Sequence, residues 1–334
     1  MIVSTQLVPA HHDDRGDLTR LVAPPGLVSR AGRAAVYAYE EFFGAMLENE
    51  HTLRAYRNAV DRFLRRCDAE GLALSEISPA VVAAHIQSLT LENGDEASVP
   101  TKKLHLAAIR HFFDLAVMRH AVLLNPATSV RGPRLRQTEG KTPAVSSADA
   151  RRVLNAVDIS TVVGLRDRAV IGILIFTAAR GGAVARLRLR DYGYDTSQHM
   201  LTFREKGGRL RKIPVRHDLQ NFLDEYVAAA DLRDAEPKRP MFRTAIGRTG
   251  ALTERSMTGG DVYRMVKRRF KESRLPDNLT CHTFRATTIT DLLDQKLPLE
   301  DVQHLAGHAD PRTTKLYHRS DRQVTRNLVE RISI

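Results

Sequence analysis

Apolar side chains recur every three or four positions over about the first third of the chain, a period typical of amphipathic helices. In one such segment Thr52 stands at a capping position and Gly71 where the helix ends. In another, Leu104, Ala108 and Phe112 fall on one face and predict a buried stripe. The four segments with this period are residues 34–47, 52–71, 79–89 and 101–122.

These four helices predict an independent helical domain over residues 29–130. The preceding residues 1–28 sustain no period and are expected to form a flexible arm. Residues 131–142 contain glycine, proline and four basic side chains in no apolar pattern, as a linker does. A second domain is then expected over residues 143–334.

The second domain is expected to combine helices with a small sheet. Ser146 and Asp149 predict a capped helix, and the strongly apolar residues 165–178 predict a buried one. Alternating apolar positions predict a three-stranded antiparallel sheet, with Glu205, Lys206 and two glycines turning the second strand into the third. The chain is therefore expected to be mainly α, with a small antiparallel β-sheet in an α+β second domain. The strands are expected at residues 191–194, 199–204 and 210–215, and the later helices at 218–230, 259–273, 281–295, 299–305 and 311–317.

Charge is the strongest global property of the chain. It has 51 Lys and Arg against 39 Asp and Glu, a net charge of +12. Such a surplus favours a polyanionic partner, because each phosphate that is neutralised releases condensed counterions. On composition alone, a soluble basic protein that binds no nucleic acid stays an alternative.

Other classes of protein find little support in the sequence. Two cysteines, Cys67 and Cys281, are too few for a disulfide framework and favour a reducing cytoplasm. The 13 histidines show no spacing typical of metal ligands, so no metal cofactor is expected. No apolar run reaches about 18 residues and the N-terminus shows no secretory pattern, so no association with a membrane is expected.

Basic side chains on the predicted polar helix faces are candidates for DNA contact. A solvated helix face is the simpler explanation for any single one, whereas their clustering on the second and fourth helices favours a DNA-facing surface. The charge of the linker suggests that it follows a phosphate backbone. The candidates are Arg54, Arg57, Lys102, Lys103, Arg110, Arg131 and Arg134.

The C-terminal half carries residues suited to phosphodiester chemistry. Tyr317 is useful as a nucleophile where cations hold a phosphate, because negative charge spreads over the non-bridging oxygens in the transition state. Guanidinium groups suit those oxygens, since each donates parallel hydrogen bonds and stays charged. Arg180 ends the buried helix, and His282 and Arg285 share a helical face at a spacing of three. Each residue taken alone also has a structural explanation, such as an ion pair or a core position.

The order of these residues along the chain is more specific than any one of them. Arg180, a lysine in a β-hairpin, H282-T-F-R285, L305-A-G-H308 and K315-L-Y317 follow one another. This order resembles the tyrosine recombinase (integrase) family, and most closely its Xer-like and phage-integrase branch. The resemblance covers about residues 35–320, because the first domain is also similar to that family's helical, SAM-like core-binding domain.

The resemblance implies a role for each residue of the set. Tyr317 is the expected nucleophile, Arg180 and Arg285 hold the phosphate, and Lys206 protonates the leaving 5′-oxygen. His282 assists proton transfer, and His308 stabilises the developing charge. The implied catalytic residues are Arg180, Lys206, His282, Arg285, His308 and Tyr317.

Two positions depart from the family pattern. An acidic residue usually stands three positions after the first arginine and supports the active site, whereas this chain has Ala183. The residue after the second arginine is commonly histidine but is Ala286 here. Neither departure removes a member of the catalytic set, and both bear on the rate of the reaction.

The implied activity is site-specific DNA recombination through a 3′-phosphotyrosyl intermediate and a Holliday junction, with neither metal nor ATP as a cofactor. The implied partners are double-stranded DNA with a specific site, which the two domains clamp, three further copies in a homo-tetramer on two duplexes, and accessory DNA-bending proteins. A C-terminal tail with apolar Val324, Leu328 and Ile332 is expected to dock on a neighbouring protomer. The expected location is the cytoplasm, associated with the nucleoid. The alternatives are a relaxase similar to type IB topoisomerases and a catalytically silent DNA-binding accessory protein.

Overall fold

The computed structural model describes residues 23–45, 50–134, 142–205 and 208–317, which form two compact units. One unit falls within residues 1–136 and the other within residues 137–334. The boundary lies in the segment predicted as a linker, of which residues 135–141 lie outside the described residues. In the part of the chain that is described, no helix is both long and apolar enough to cross a membrane.

Helices with one shared apolar core make up the first unit. Phe42, Phe63 and Phe112 are buried in this core, and the rings of Phe42 and Phe112 meet edge to face at 5.8 Å. Ser78 and Ser98 cap two of the helices with their hydroxyls, and each is followed within two residues by a proline, as predicted for the first. The helices are α1 (Gly26–Arg30), α2 (Arg33–Gly44), α3 (Glu50–Ala69), α4 (Pro79–Gln87) and α5 (Val99–Met118).

Three predictions for this unit were wrong in detail. The predicted arm ends in a helix, because Leu27 and Val28 are buried in the core of the unit. Thr52 lies inside α3 instead of capping it, since that helix already begins at Glu50. Leu104 is 37% exposed, because the buried stripe of α5 runs through the neighbouring positions 105–106, 108–109 and 112–113. The rest of the predicted arm, residues 1–22, and residues 46–49 lie outside the described residues.

The second unit has the predicted mixture of helices with a small sheet. Its three strands pair antiparallel in the order β1-β2-β3, as predicted, with Leu201 opposite Ile213 in the register. A further antiparallel pair, β4 with β5, was not predicted because its strands are short and charged, with Arg243 and Glu254 among their residues. The elements are α6 (Ser147–Asn155), α7 (Val162–Thr177), α8 (Gly181–Ala185), β1 (Tyr192–Asp195), β2 (Gln198–Arg204), β3 (Leu210–Pro214), α9 (His217–Ala229), β4 (Arg243–Ala245), β5 (Leu252–Ser256), α10 (Gly259–Glu272), α11 (Cys281–Asp294), α12 (Leu299–Ala306) and α13 (Pro311–Lys315).

Helix α7 lies at the centre of the second unit and is held by charge as well as by apolar packing. Its Asp167 is fully buried and accepts from Arg166 at 2.6 Å, from Arg268 at 2.8 Å and from Arg269 at 2.6 Å. Since the last two belong to α10, the buried carboxylate ties the two helices together. Breaking such a network leaves a charge buried without a partner, which typically destabilises by about 3–5 kcal/mol.

Two buried histidines face each other in the core of the first unit. His85 is 3% exposed and His105 is 5% exposed, and their ring centroids are 6.1 Å apart. Burial, followed for His85 by the charges of His105 and Arg66, lowers the pKa of each imidazole to about 4. Both side chains are therefore neutral in the folded protein at pH 7.

We expect acid to destabilise the protein through these histidines. As the pH falls from about 6.5 to about 4, the unfolded chain binds protons that the folded core excludes. The stabilisation is complete above pH 6.5 and is lost toward pH 4, on the order of 3 kcal/mol per histidine. Urea unfolding at pH 7.5 and pH 5 should show a lower midpoint in acid, and the double variant His85→Leu/His105→Leu should show a smaller decrease. An equal decrease in both proteins would contradict this account.

Candidate active site

Two buried arginines join the C-terminal ends of α7 and α12. Arg285, on α11, is 2% exposed and donates to the carbonyl oxygens of Ala178 and Ala306, the second at 2.6 Å. Carbonyls in the last turn of a helix lack intrahelical partners and lie at the negative end of its dipole, so they suit a cation. Arg285 therefore fixes the distance between the two helix ends.

Arg211, on β3, repeats this bridge one residue earlier in both helices. It is 5% exposed, and its Nη1 donates to the carbonyl oxygens of Thr177 at 3.2 Å and Leu305 at 2.6 Å. Its guanidinium also lies over the ring of Phe203, 4.8 Å from the centroid. The sheet is thereby attached to the same helix ends as α11.

A left-handed residue after α7 directs Arg180 into the site. Ala178 caps α7 with φ of 49°, which turns the chain so that Arg180 becomes the residue that precedes α8. The side chain of Arg180 is half-exposed. Burial and then the charge of Arg180 lower the pKa of Arg285, which indicates that the two guanidinium groups are close.

The loop after α12 places His308 and Tyr317 against each other. Gly307 ends the helix with φ of 64°, and His308 is then buried with its Nδ1 2.8 Å from Oγ1 of Thr314. The rings of His308 and Tyr317 stack at 5.8 Å with an angle of 12° between them. Burial, followed by the charges of Arg285, Arg180 and Arg211, lowers the pKa of His308 to about 4. This histidine is a neutral hydrogen-bonding group at pH 7.

Tyr317 is held by apolar packing at the edge of the guanidinium cluster. Its ring packs against a small core cluster that includes Ala178 and Ala306, the residues whose carbonyls Arg285 binds. Its own carbonyl accepts from Oγ1 of Thr290 at 3.2 Å. The phenol lies beside Arg285, where it opposes the lowering of that arginine's pKa by burial.

His282 stands at the open side of the cluster. It lies in the first turn of α11, where Oγ1 of Thr280 accepts from its backbone N–H at 3.2 Å, and its side chain is exposed. Desolvation, then Arg285 and then Arg180, lower the pKa of its imidazole. The site thus brings together five of the six residues predicted from the sequence, and Lys206 lies outside the described residues.

Arg211 and Glu205 belong to this site and were missed in the sequence. On β3 the burial alternates, and Arg211 occupies an inward position together with Ile213. A charged residue at an apolar position of the strand period was the available signal. Glu205 accepts from Nε of Arg211 at 2.9 Å and was noted in the sequence only as part of the turn.

Some of the cations predicted to face DNA have structural roles inside the first unit. Lys102 is 8% exposed, pairs with Glu96 at 2.6 Å and donates to the carbonyl of Gln87, so its prediction as a groove-facing residue was wrong. Arg110 donates to the carbonyls of Ala127 and Val130, and this explains its position better than DNA contact does. Lys103, Arg131 and Arg134 are exposed.

A basic groove runs along α3 in the first unit. Arg54 and Arg57 line it as predicted candidates, and Arg62 and Arg65 line it too, in a concavity of about 1170 Å³. The helical spacing of these arginines places them on one face, which was the signal for the two that were missed. In this same groove Asp61 accepts from Tyr39 at 2.6 Å, so not all of its charge is positive.

The two alanines that depart from the family pattern both pack in apolar surroundings. Ala183, in α8, packs against the main core cluster, and Ala286, in α11, is fully buried. Neither position offers a polar group to the site. Over the described residues, no group of three or more His, Cys, Asp or Glu side chains is placed to hold a metal ion.

We expect the conservative substitution Arg211→Lys to destabilise the second unit. A lysine has one compact donor group and cannot reach both helix ends and Glu205 as the planar guanidinium does. Lost buried hydrogen bonds should lower the free energy of unfolding by about 1–3 kcal/mol. Urea unfolding of this variant should be compared with Arg209→Lys, an exposed position of the same hairpin that should change little. Equal stability of the two variants would refute the bridging role.

Comparison with known protein families identifies both units. The sequence pattern of the phage integrase family matches residues 144–323, and that of the phage integrase N-terminal SAM-like domain matches residues 42–120. The tyrosine recombinase XerD of Pseudomonas aeruginosa is 26% identical over 270 residues, which cover 80% of this chain and 86% of the relative. The tyrosine recombinase XerC of Chlamydia pneumoniae is 29% identical over 228 residues, which cover 68% of this chain and 69% of the relative.

Solved structures show the same fold. The XerH site-specific recombinase bound to a palindromic difH substrate superposes with a TM-score of 0.63 at 17% identity, covering 87% of this chain and 91% of that one. A lambda integrase dimer bound to a COC′ core site superposes with a TM-score of 0.61 at 19% identity, covering 86% and 94%.

Proposed function

The chain belongs to the phage integrase family of tyrosine recombinases, and we propose that it recombines DNA at a specific site through Tyr317. The observation that carries this proposal is the cluster of Arg180, Arg285, His308 and Tyr317, built where α7, α11 and α12 meet. The guanidinium groups form an anion site, and the phenol stands at its edge. An anion site beside a phenol is what attack on a phosphodiester requires.

The reaction follows from these positions. The Tyr317 oxygen attacks the scissile phosphorus, its proton passes to the imidazole of His282, and the bond to the 5′-oxygen breaks. Arg180 and Arg285 stabilise the non-bridging oxygens, and His308, neutral at pH 7, completes their hydrogen bonds. Lys206 donates the proton that the leaving oxygen needs. The 3′-phosphotyrosyl bond keeps the energy of the phosphodiester, so a 5′-hydroxyl of another strand can reverse the step without ATP.

The guanidinium of Arg285 can serve structure and catalysis together. Two of its nitrogens each donate to a helix-end carbonyl, and a guanidinium carries five N–H groups. The N–H groups that remain are the ones proposed to reach the phosphate. Because the carbonyls hold the group in place before DNA arrives, little reorganisation is needed in the transition state.

The first unit is proposed to hold the duplex through its phosphates. The groove along α3 presents Arg54 and Arg57, and Lys103, Arg131 and Arg134 add exposed charge. Contacts of this kind fix the position of a protein on DNA and release counterions, so binding should weaken steeply with salt. Both units together are proposed to clamp the DNA, which would place the protein with the nucleoid in the cytoplasm.

Strand exchange between two duplexes requires four active sites, so a homo-tetramer is proposed as the working assembly, with accessory DNA-bending proteins as further candidate partners. The tail around Val324, Leu328 and Ile332 lies outside the described residues and is proposed to dock on the next protomer. A groove of about 680 Å³ in the second unit is a candidate to receive it, because Leu154, Phe176 and Phe222 line part of a wall that also carries polar side chains.

The two alternatives fit less well. A relaxase similar to type IB topoisomerases does not account for the match of residues 42–120 to the integrase N-terminal domain. A silent accessory protein needs no assembled site, yet the described catalytic residues are held together by buried hydrogen bonds.

We expect the variant Tyr317→Phe to bind its DNA site with unchanged affinity and to form no covalent adduct. The substrate is the duplex that the unmodified protein selects from a randomised library, nicked beside the cleavage position so that the released fragment diffuses away. Adduct is measured as a band on a denaturing gel. Tyr263→Phe, an exposed tyrosine of α10, serves as the matched control and should react normally. An adduct formed by Tyr317→Phe would show that another residue is the nucleophile.

Removal of residues 324–334 tests the proposed assembly. We expect this truncation to abolish the complex of two duplexes in a native gel while binding to one isolated site stays within about threefold, because each apolar contact of the tail would serve protomers and not DNA. The triple variant Val324→Ser/Leu328→Ser/Ile332→Ser should behave in the same way. Unchanged pairing of duplexes would refute docking of the tail.

A further inference from the structure

We propose that Glu205 is a positioning residue of this active site, whose carboxylate holds Arg180 in place to bind the scissile phosphate. This inference rests on the proposed function. It assigns a role to a residue outside the catalytic set implied by the resemblance. The carboxylate of Glu205 would also supply the negative charge that position 183 lacks, since Ala183 is apolar and packed against the core.

The contacts of Glu205 point to Arg180 and Arg211. Its Oε1 accepts from Nε of Arg211 at 2.9 Å and lies 3.9 Å from Nη1 of Arg180. The Glu205 side chain is 14% exposed, so solvent screens these contacts only in part. Within the described residues, no other acidic side chain forms an ion pair with either arginine.

The carboxylate occupies a space that the chain leaves open for it. A Cβ atom added to Gly307 would lie 2.6 Å and 2.8 Å from the two oxygens of Glu205, and 3.1 Å from Cδ of Arg211. Gly307 is also left-handed, with φ of 64°, a conformation that favours glycine. The glycine before His308 therefore allows the carboxylate to lie against the backbone of the active-site loop.

Electrostatics explain why the site needs this carboxylate. Arg211 and Arg285 are anchored by helix-end carbonyls, whereas Arg180 is half-exposed and its ion pair is with Glu205. Burial is the main cause that lowers the pKa of Arg211 and of Arg285, the charge of Arg180 lowers both further, and Glu205 raises that of Arg211. The guanidinium groups therefore repel one another. Without Glu205, repulsion from the two buried charges would turn Arg180 toward solvent.

The test is Glu205→Gln in the full chain, which keeps the size of the side chain and removes its charge. We expect adduct formation on the nicked duplex to slow roughly 10- to 100-fold, as when one oxyanion-stabilising group is misplaced. Affinity for the same duplex should stay close to that of the unmodified protein, whereas the melting temperature should fall because buried Arg211 loses its ionic partner, so rates are compared at a temperature where both proteins are folded. Glu254→Gln is the matched control, because Glu254 also pairs with an arginine beside a β-hairpin but lies outside the site. A normal rate for Glu205→Gln would overturn the proposal.

Two modified substrates identify the step that Glu205 serves. A methylphosphonate at the scissile position has one negative charge less, so the defect of Glu205→Gln should become smaller there. A 5′-bridging sulfur leaves without protonation, and the defect should persist on that substrate if Glu205 acts through Arg180. A defect that disappears with the sulfur, or that is equal on phosphate and methylphosphonate, would overturn the role through Arg180.

The experiment separates failure of the proposed function from failure of the role of Glu205. If the unmodified protein forms no adduct on the selected duplex, the proposed function itself is wrong. If the unmodified protein and Glu254→Gln form adduct at equal rates and Glu205→Gln matches them, only the role of Glu205 is wrong.

Discussion

The active site depends on two guanidinium groups that bridge the ends of α7 and α12. Arg285 binds the carbonyls of Ala178 and Ala306, and Arg211 binds those of Thr177 and Leu305. Both helices then turn through a left-handed residue, after which Arg180 and His308 follow within two positions. Because the bridges fix where the helices end, they also fix where these two side chains begin. Tyr317, the proposed nucleophile, packs against the same junction.

This arrangement concentrates positive charge in a partly buried place, which is unfavourable unless something compensates it. The helix-end carbonyls supply the first compensation, since they carry the negative end of two helix dipoles. His308 adds no charge, because burial and the neighbouring arginines keep its imidazole neutral at pH 7. The remaining positive potential is what a phosphodiester would neutralise.

Local pattern was sufficient to predict much of the molecule. The buried helix α7 and the three-stranded sheet follow from apolar periods and turn residues, and the order of the predicted catalytic residues indicated the family. The bridging role of Arg211 could not be predicted, because the two carbonyls that it joins lie 34 and 94 positions away in the chain. Lys102 was misplaced for a related reason: a lysine on a polar face was expected to be solvated, whereas this one is buried and pairs with the exposed Glu96.

The same distinction between local pattern and long-range contact changes the meaning of Ala183. In the sequence, the absent acid three positions after Arg180 bore on the expected rate and kept a silent protein as an alternative. In the structure a carboxylate reaches Arg180 from the sheet, and it fits because position 307 carries no side chain. Glu205 and Gly307 are therefore mutually dependent, as a larger residue at 307 would displace the carboxylate. On the proposed role of Glu205, an apolar residue at 183 costs the site no charge, and the departure is then no argument against catalysis.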